Sequence, residues 1–390
     1  MKNPFSRGSK FGLYLLVALI GIFLACLVGQ IGILKPAGVE AKMTKEPIGP
    51  EQETIRLDKD HPVIQAAISV QERHHDRLMG IPEAFGTAIG FNEAGRLAIL
   101  VFTKDIVGPG VVPEILEGLP VHVKVTGEIF AMKDHSPDKG GQISPAAAIG
   151  PYTQPVPIGV STGVYNHGKN DCLAGTIACR VRDSSGHVYA LSNNHVYALE
   201  NTAPIGSPVV QPGLYDATPQ CAFNQNNVIG TLSNFARIVF STRASNTIDA
   251  AIAKIIYDSS TGWLLAKATP ADGYGTPSST PKSASINQSV QKYGRTTSLT
   301  KGTVTAINVT VNVGYGYPFG TARFVKQIAI SSSTAFIQPG DSGSLLVTDD
   351  LSPNPNPVGL LFAGNSSGTY AIANPIGNVL NYFGVAIDGE

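Results

Sequence analysis

The chain has 390 residues, enough for two or three domains, and its 28 Lys and Arg balance its 28 Asp and Glu. Zero net charge without a basic run argues against a nucleic-acid surface, which clusters Lys and Arg on one face. Charged residues make up only 14%, against 42 glycines and 27 prolines, a balance that suits a turn-rich, mostly β protein.

Residues 1–34 read as a signal anchor or a signal peptide. Lys2, Arg7 and Lys10 precede an apolar run from Phe11 to Leu34, whose 24 residues are long for a signal-peptide core and right for a membrane span. The positive flank stays in the cytoplasm, which places the rest of the chain outside. Cleavage after Val39-Glu40-Ala41 is the alternative and would release the chain. The expected location is therefore extracytoplasmic, membrane-anchored by the N-terminus or secreted.

Residues 35–60 are a polar, proline-containing linker, and residues 61–130 a small α/β domain. In that domain Pro62–Met79 is expected to form an amphipathic helix with Val63, Ile64, Ala67, Ile68 and Val70 inward. Thr87–Phe91 and Arg96–Thr103 form a hairpin, Val112–Leu116 a helical turn and Val121–Ile129 a strand. The domain is either a pro-region or a docking module. Its adjacent His74 and His75 point in different directions on a helix and read as a solvated pair. Residues 131–157, with Gly140-Gly141 and five prolines, form a second linker and a natural processing site.

The next segment carries the first chemistry. Strands are expected over Ala174–Val181 and His187–Ser192, joined by an Asp183-Ser184-Ser185-Gly186 turn, and His195 follows at the strand end. Asp249 lies in the apolar run Ile248 to Ala253, where a carboxylate must be paired or hydrogen-bonded. Asp183, Asp216 and Asp258 sit in turn-like, polar surroundings and are poorer candidates. Trp263 reads as a packing residue. A hinge rich in Gly, Pro, Ser and Thr runs from Ala268 to Pro281. Tyr315 and Tyr317, in Gly314-Tyr-Gly-Tyr-Pro, read as a hairpin tip on the surface, with substrate contact as the alternative.

The decisive block is Gln338-Pro339-Gly340-Asp341-Ser342-Gly343-Ser344. Its glycines allow backbone angles that other residues resist, so the N–H groups of Gly340 and Ser342 can converge as an oxyanion hole. A serine hydroxyl needs a base to become a nucleophile. His195 supplies one, taking the proton from Ser342 and returning it to the leaving group. Asp249 fixes the imidazole tautomer and stabilises the imidazolium.

Ser-Asn-Asn-His195, Ile-Asp249-Ala-Ala-Ile-Ala and Gly-Asp-Ser342-Gly-Ser resemble the three active-site blocks of chymotrypsin-like serine peptidases. Val290–Val304 resembles the opening of the second barrel in bacterial streptogrisin-type and α-lytic-type enzymes, Val358–Gly364 their substrate-binding strand, and Asn374–Val385 their C-terminal helix. The same blocks also resemble those of a bacterial group related to the peptidase-like domain of plant narrow-leaf proteins. The resemblance implies a mostly β fold, a chymotrypsin-like double β-barrel over residues 158–388, with barrel one at 158–267 and barrel two at 282–388. A small α/β domain and an N-terminal hydrophobic helix precede it. It further implies Phe336 at the base of the P1 pocket, Gly364 and Tyr370 along its walls, and substrate pairing with the Leu361, Phe362 to Gly364 strand. No acid at the pocket base favours apolar P1 residues over Lys or Arg.

Three departures stand out: no cysteine follows His195, Ser344 replaces a glycine, and Phe362 stands where many relatives place a serine that bonds the catalytic Asp. The chain is thus expected to be a serine endopeptidase acting on protein or peptide substrates. The alternative is a catalytically weak or inactive peptidase-fold scaffold for binding or assembly. No cofactor or metal is called for, and the plant likeness leaves a homo-oligomer open. Of four cysteines, Cys172, Cys179 and Cys221 fall in the first barrel, where one disulfide or buried free thiols are both open.

Overall fold

The computed structural model describes residues 57–132, 148–166 and 172–390. The apolar segment Phe11–Leu34 lies outside these, as do most of the first expected linker and residues 133–147 of the second. Among the described residues no helix is long and apolar enough to cross a membrane.

The chain opens with helices α1, Pro62–Arg73, and α2, His75–Met79. Pro62 suits the first turn because its missing N–H is an orphan there anyway, and the His61 side chain accepts from the Val63 N–H. The single helix expected over 62–79 breaks at His74. Ile64, Ala67, Ile68 and Gln71 are buried, whereas Val63 faces outward. Strands β1, Ala84–Phe91, and β2, Leu97–Thr103, form a hairpin whose turn is held by Asn92 Oδ1 accepting from the N–H groups of Ala94 and Arg96. Instead of a helical turn there is a two-residue strand β3, Ile115–Leu116, followed by β4, Leu119–Val125, parallel to β2, and β5, Ile129–Ala131.

Strands β6, Ser161–Val164, β7, Gly175–Thr176, β8, Cys179–Asp183, and β9, Val188–Ser192, lead into the one-turn helix α3, Asn194–Tyr197. Then come β10, Pro208–Val210, β11, Val228–Phe235, and β12, Ala251–Ile255. A small hairpin follows, β13, Tyr257–Asp258, with β14, Gly262–Trp263, in which Trp263 packs edge-on against Tyr257. The order β8-β9-β12-β11-β10-β6-β7 makes the first sheet curl round. The chain itself completes the turn, because β7 pairs with β6 while β8, just beyond it, pairs with β9. Alternating apolar residues such as Val160, Val181, Leu191, Ile229 and Ile252 fill the interior.

The second sheet holds β15, Ser289–Gly294, β16, Ser298–Gly316, β17, Gly320–Ser331, β18, Leu345–Thr348, β19, Pro357–Asn365, and β20, Tyr370–Pro375. It runs β15-β18-β19-β20-β17-β16, and β16 pairs back to β15, so six strands close. A closed sheet has no edge to protect. Helix α4, Ile376–Phe383, follows, and β21, Val385–Ile387, crosses back to pair with β8 of the first barrel. There Asp388 accepts from the Arg180 and Arg182 guanidinium groups.

The structure is mostly β with few helices. The segment 62–131 does not stand apart as a separate small α/β domain, however. The β16–β17 hairpin extends well past the barrel, and β1 pairs along its free edge, Gly86 opposite Val311 and Ile89 opposite Ile307. The physical reason is burial. The inner faces of β1 and β2 are covered by the hairpin, so Ala88, Leu100 and Phe102 share one apolar cluster with Val309, Val311, Phe324 and Tyr370.

Cys172 and Cys221 form a disulfide, and Cys179 is a buried free thiol whose pKa burial pushes well up. The bridge closes a loop of 49 residues. Cys172→Ser should therefore lower the unfolding free energy by about 2–4 kcal/mol, read from urea titration with the slope of each variant fitted separately; an unchanged free energy would contradict it.

Candidate active site

Strand β9 ends at Ser192, and Asn193 caps the short turn that carries His195. Both asparagines serve as brackets. Asn193 Nδ2 donates to the Asp249 carbonyl at 2.7 Å, and Asn194 Nδ2 donates to the Ala236 carbonyl at 2.6 Å. Asp249 sits just before β12, and its N–H donates to Asn374 Oδ1 at 2.7 Å. Asn374 belongs to β20 of the other barrel and donates in turn to the Leu360 carbonyl.

His195 and Asp249 are both fully buried and lie in direct contact. His195 Nδ1 is 2.6 Å from Asp249 Oδ2, and the His195 backbone N–H reaches Oδ1 at 3.2 Å. A carboxylate only accepts, so Nδ1 carries the proton of this contact. Nε2 has no hydrogen-bond partner.

The Tyr315 hydroxyl donates to the same Asp249 Oδ2 at 2.7 Å. The reading of Tyr315 as a surface residue is corrected here: it is 2% exposed, whereas Tyr317 is 99% exposed. Burial, then the Asp249 charge, push the Tyr315 phenol well above its ordinary range, so it stays a proton donor. It fills the role left open by Phe362, whose ring instead packs against Phe324 at 4.7 Å between centroids. Strand alternation puts Val309, Val311, Val313 and Tyr315 on one buried face. That periodicity was the available signal for Tyr315; the flanking glycines and Pro318 pointed to a turn instead.

The serine turn is anchored by both barrels. Asp341, fully buried, accepts at Oδ1 from the Thr296 and Thr297 N–H groups, and at Oδ2 from the Thr297 hydroxyl and the Gln338 N–H. Buried Lys292 lies 3.6 Å away, its pKa pulled down by burial against the opposing pull of Asp341. From the first barrel, the Thr176 N–H donates to the Ser342 carbonyl and its hydroxyl to the Gly340 carbonyl, both at 2.8 Å. Gly340 has φ +95°, and a Cβ there would stand 2.5 Å from Arg295 Nη1, so no other residue fits. Arg295 is itself buried and paired with Asp216. Asp216 lies in the short turn Leu214–Asp216, as its surroundings in the sequence suggest, and its buried side chain serves as the ion-pair partner of Arg295.

The Ser342 hydroxyl donates to the Phe362 carbonyl at 3.1 Å and not to His195. Ser344 Oγ donates to the Asp341 carbonyl at 2.6 Å, so the glycine replacement tightens the turn.

Around Ser342 the cleft is filled. Strand β5 pairs antiparallel with β19, Ala131 opposite Ala363 and Phe130 opposite Gly364. The Met132 N–H donates to the Phe362 carbonyl at 3.1 Å, and the Gly340 N–H donates to the Met132 carbonyl at 2.9 Å. The Met132 side chain is 4% exposed and joins the apolar cluster of Phe336, Ile337 and Leu361. A Cβ on Gly364 would lie 3.0 Å from Met132 Cε and 2.7 Å from Ile337 Cγ2, so a bare backbone is needed there. Phe336, Leu361 and Gly364 thus gather at Met132. The Tyr370 ring turns to Phe102, edge-on at 5.5 Å. Nothing in the sequence pattern marked Met132, which fell within the expected 131–157 linker.

His74 and His75 diverge, His74 toward Glu117 at 2.8 Å and half-buried His75 toward Arg323 at 3.2 Å.

The sequence pattern of the Nal1 C-terminal domain family matches residues 278–377. Glutamyl endopeptidase 2 of Streptomyces griseus is 34% identical over 113 residues, 28% of this chain and 52% of its own. The chain thus spans about half the length of that curated relative. Two solved structures cover 60% of this chain at 20% identity: a Nocardiopsis protease (99% of its own chain, TM-score 0.40) and Thermobifida fusca protease A (100%, 0.39). The likeness therefore runs both to streptogrisin-like peptidases and to the narrow-leaf proteins.

Tyr315→Phe leaves a buried carboxylate one donor short, which costs about 1–3 kcal/mol. Its unfolding free energy should fall by that amount, while Tyr317→Phe, at an exposed site, should change it by less than about 0.5 kcal/mol. Equal midpoints for the two variants in denaturant titration would overturn the assignment of Tyr315 to Asp249.

Proposed function

We propose that this chain is a serine endopeptidase that cleaves peptide bonds through an acyl-enzyme. The observation that carries the reading is the buried His195–Asp249 contact at 2.6 Å, with a Gly340 N–H already bonded to a peptide carbonyl beside Ser342. In this reading Ser342 is the nucleophile. Its hydroxyl turns from the Phe362 carbonyl to His195 Nε2, which removes the proton as Oγ attacks the substrate carbonyl carbon. The N–H groups of Gly340 and Ser342 stabilise the oxyanion. Asp249 holds the imidazole, and Tyr315 orients the carboxylate. His195 then protonates the leaving amine, and water repeats the sequence on the ester. Protein or peptide backbones pair with the Phe362–Gly364 edge by strand addition. This chemistry is complete with side chains and water alone.

The apolar N-terminal segment, with Lys2, Arg7 and Lys10 before it, supports export, as does the Cys172–Cys221 disulfide.

A second reading, a weak or inactive peptidase fold kept for binding, is favoured by one observation: Ser342 Oγ donates to Phe362 and leaves His195 Nε2 without a partner. Covalent labelling separates the two. A fluorophosphonate should form one adduct on Ser342 in the full chain, and His195→Ala should slow its formation by on the order of 10³-fold or more. Ser342→Ala should take none while unfolding at the wild-type midpoint. Absence of any adduct in every variant, with folding intact, would favour the binding scaffold.

Tyr315→Phe should lower kcat/KM about tenfold, the equivalent of 1.4 kcal/mol of transition-state stabilisation. A wild-type value measured on peptide amides would remove Tyr315 from the catalytic arrangement.

A further inference from the structure

We infer that residues 129–132 are this site's first substrate, and that the chain cuts itself on the carboxyl side of Met132. The inference rests on the peptidase reading above and deepens it by naming the bond and the class of side chain the pocket takes.

The geometry is that of a bound peptide. An endopeptidase substrate must meet three demands at once. Its backbone must add to the exposed strand, its scissile carbonyl must point into the oxyanion donors, and its P1 side chain must enter the pocket beside the serine. Ile129–Ala131 pairs antiparallel with β19 in register Ala131–Ala363, Phe130–Gly364, Ile129–Asn365. The Met132 N–H bonds the Phe362 carbonyl, and the Met132 carbonyl accepts from Gly340. Its side chain is buried with Phe336, Ile337 and Leu361 and reaches to Gly364. A surface strand pairing by chance would not also bring a carbonyl to the Gly340 N–H.

The other edge of β5 is held too. Phe130 lies opposite Gly314 of β16, and a Cβ on Gly314 would meet the Phe130 ring at 3.0 Å. The occupant is delivered by its own chain, since β1, β2 and β4 dock on the β16–β17 hairpin and Asn365 Nδ2 donates to the Thr126 carbonyl at 2.9 Å. This tether gives the segment a high effective concentration at the cleft.

The reaction balances with water as sole co-reactant. Ser342 Oγ bonds to the Met132 carbonyl carbon, the C–N bond to the following residue breaks, and His195 passes the serine proton to the departing amine. Water then hydrolyses the Met132 ester, leaving a carboxylate on Met132 and an amino terminus at residue 133. Neither change removes the contacts of β1, β2 and β4, so both pieces stay together, with Met132 still lying in the cleft.

The pocket is matched to an apolar side chain. The Met132 side chain packs with apolar Phe336, Ile337 and Leu361, and residues 282–390 contain no histidine. A glutamate at this position would bring an uncompensated carboxylate into apolar surroundings.

The test uses the full chain as wild type, Ser342→Ala, Met132→Leu and Met132→Glu, followed by intact mass measurement, terminal sequencing and fluorophosphonate labelling. Wild type and Met132→Leu should yield pieces ending at residue 132 and starting at 133. These should co-elute in native buffer and separate in denaturant, at a rate of appearance independent of protein concentration. Ser342→Ala should stay whole. Met132→Glu should be cut at this bond at least 100-fold more slowly and, with its cleft vacated, label at Ser342 at least tenfold faster than wild type. A chain that labels at Ser342 yet is never cut after Met132, or is cut elsewhere, overturns the inference and leaves the peptidase reading standing. Cutting of Met132→Glu at the wild-type rate overturns the apolar pocket. A chain neither cut nor labelled in any form overturns both.

Discussion

The arrangement depends on one buried carboxylate. Asp249 is fully desolvated, and a bare charge in that position would be too costly to keep. Its surroundings answer with hydrogen bonds from three separate parts of the chain, and the carboxylate itself accepts from two of them. His195 comes from the end of β9, Tyr315 from the far end of the β16–β17 hairpin, and Asn374 of β20 takes its backbone N–H. Two of these three elements belong to the second barrel, whereas Asp249 and His195 belong to the first. Satisfying the charge is therefore inseparable from docking the barrels. The docking in turn places the cleft, because the serine turn is held by Thr176 of the first barrel as well as by Thr296 and Thr297 of the second.

The same logic explains a second buried acid. Asp341 immediately precedes the serine and receives four hydrogen bonds, with Lys292 nearby to balance its charge. A turn so tightly determined keeps the Gly340 N–H aimed at one point whether or not a ligand is present. Preorganised donors of this kind lose nothing to rearrangement when charge develops on a carbonyl oxygen. The Arg295–Asp216 pair, buried behind Gly340, extends the polar network away from the cleft and fills the space that a side chain on Gly340 would need.

The N-terminal part of the chain is built into this system. Its strands continue the sheet of the second barrel and share its apolar clusters, so Phe102 packs on Tyr370 and Ile89 and Ile99 join Phe336 and Leu361. Such shared burial makes the segment an integral layer of the fold. It also brings Met132 to the serine without any dedicated binding surface, through ordinary sheet extension.

Much of this was legible in the residues alone. Turn chemistry, apolar alternation and the three short blocks around His195, Asp249 and Ser342 are local signals, since a hairpin, a Gly-Asp-Ser-Gly turn or an acid in an apolar run shows within ten residues. What the sequence could not convey was which distant edges would meet. Tyr315 lies 66 residues from Asp249, and Met132 lies over 200 residues from Gly340. Their partners were chosen by the closure of the barrel and the length of the β16–β17 hairpin, not by local pattern. The pairing of Cys172 with Cys221, and the interior place of Asp216, followed from the same closure. Local propensity determined what each segment was; burial of edges and charges against one another decided what each segment touched.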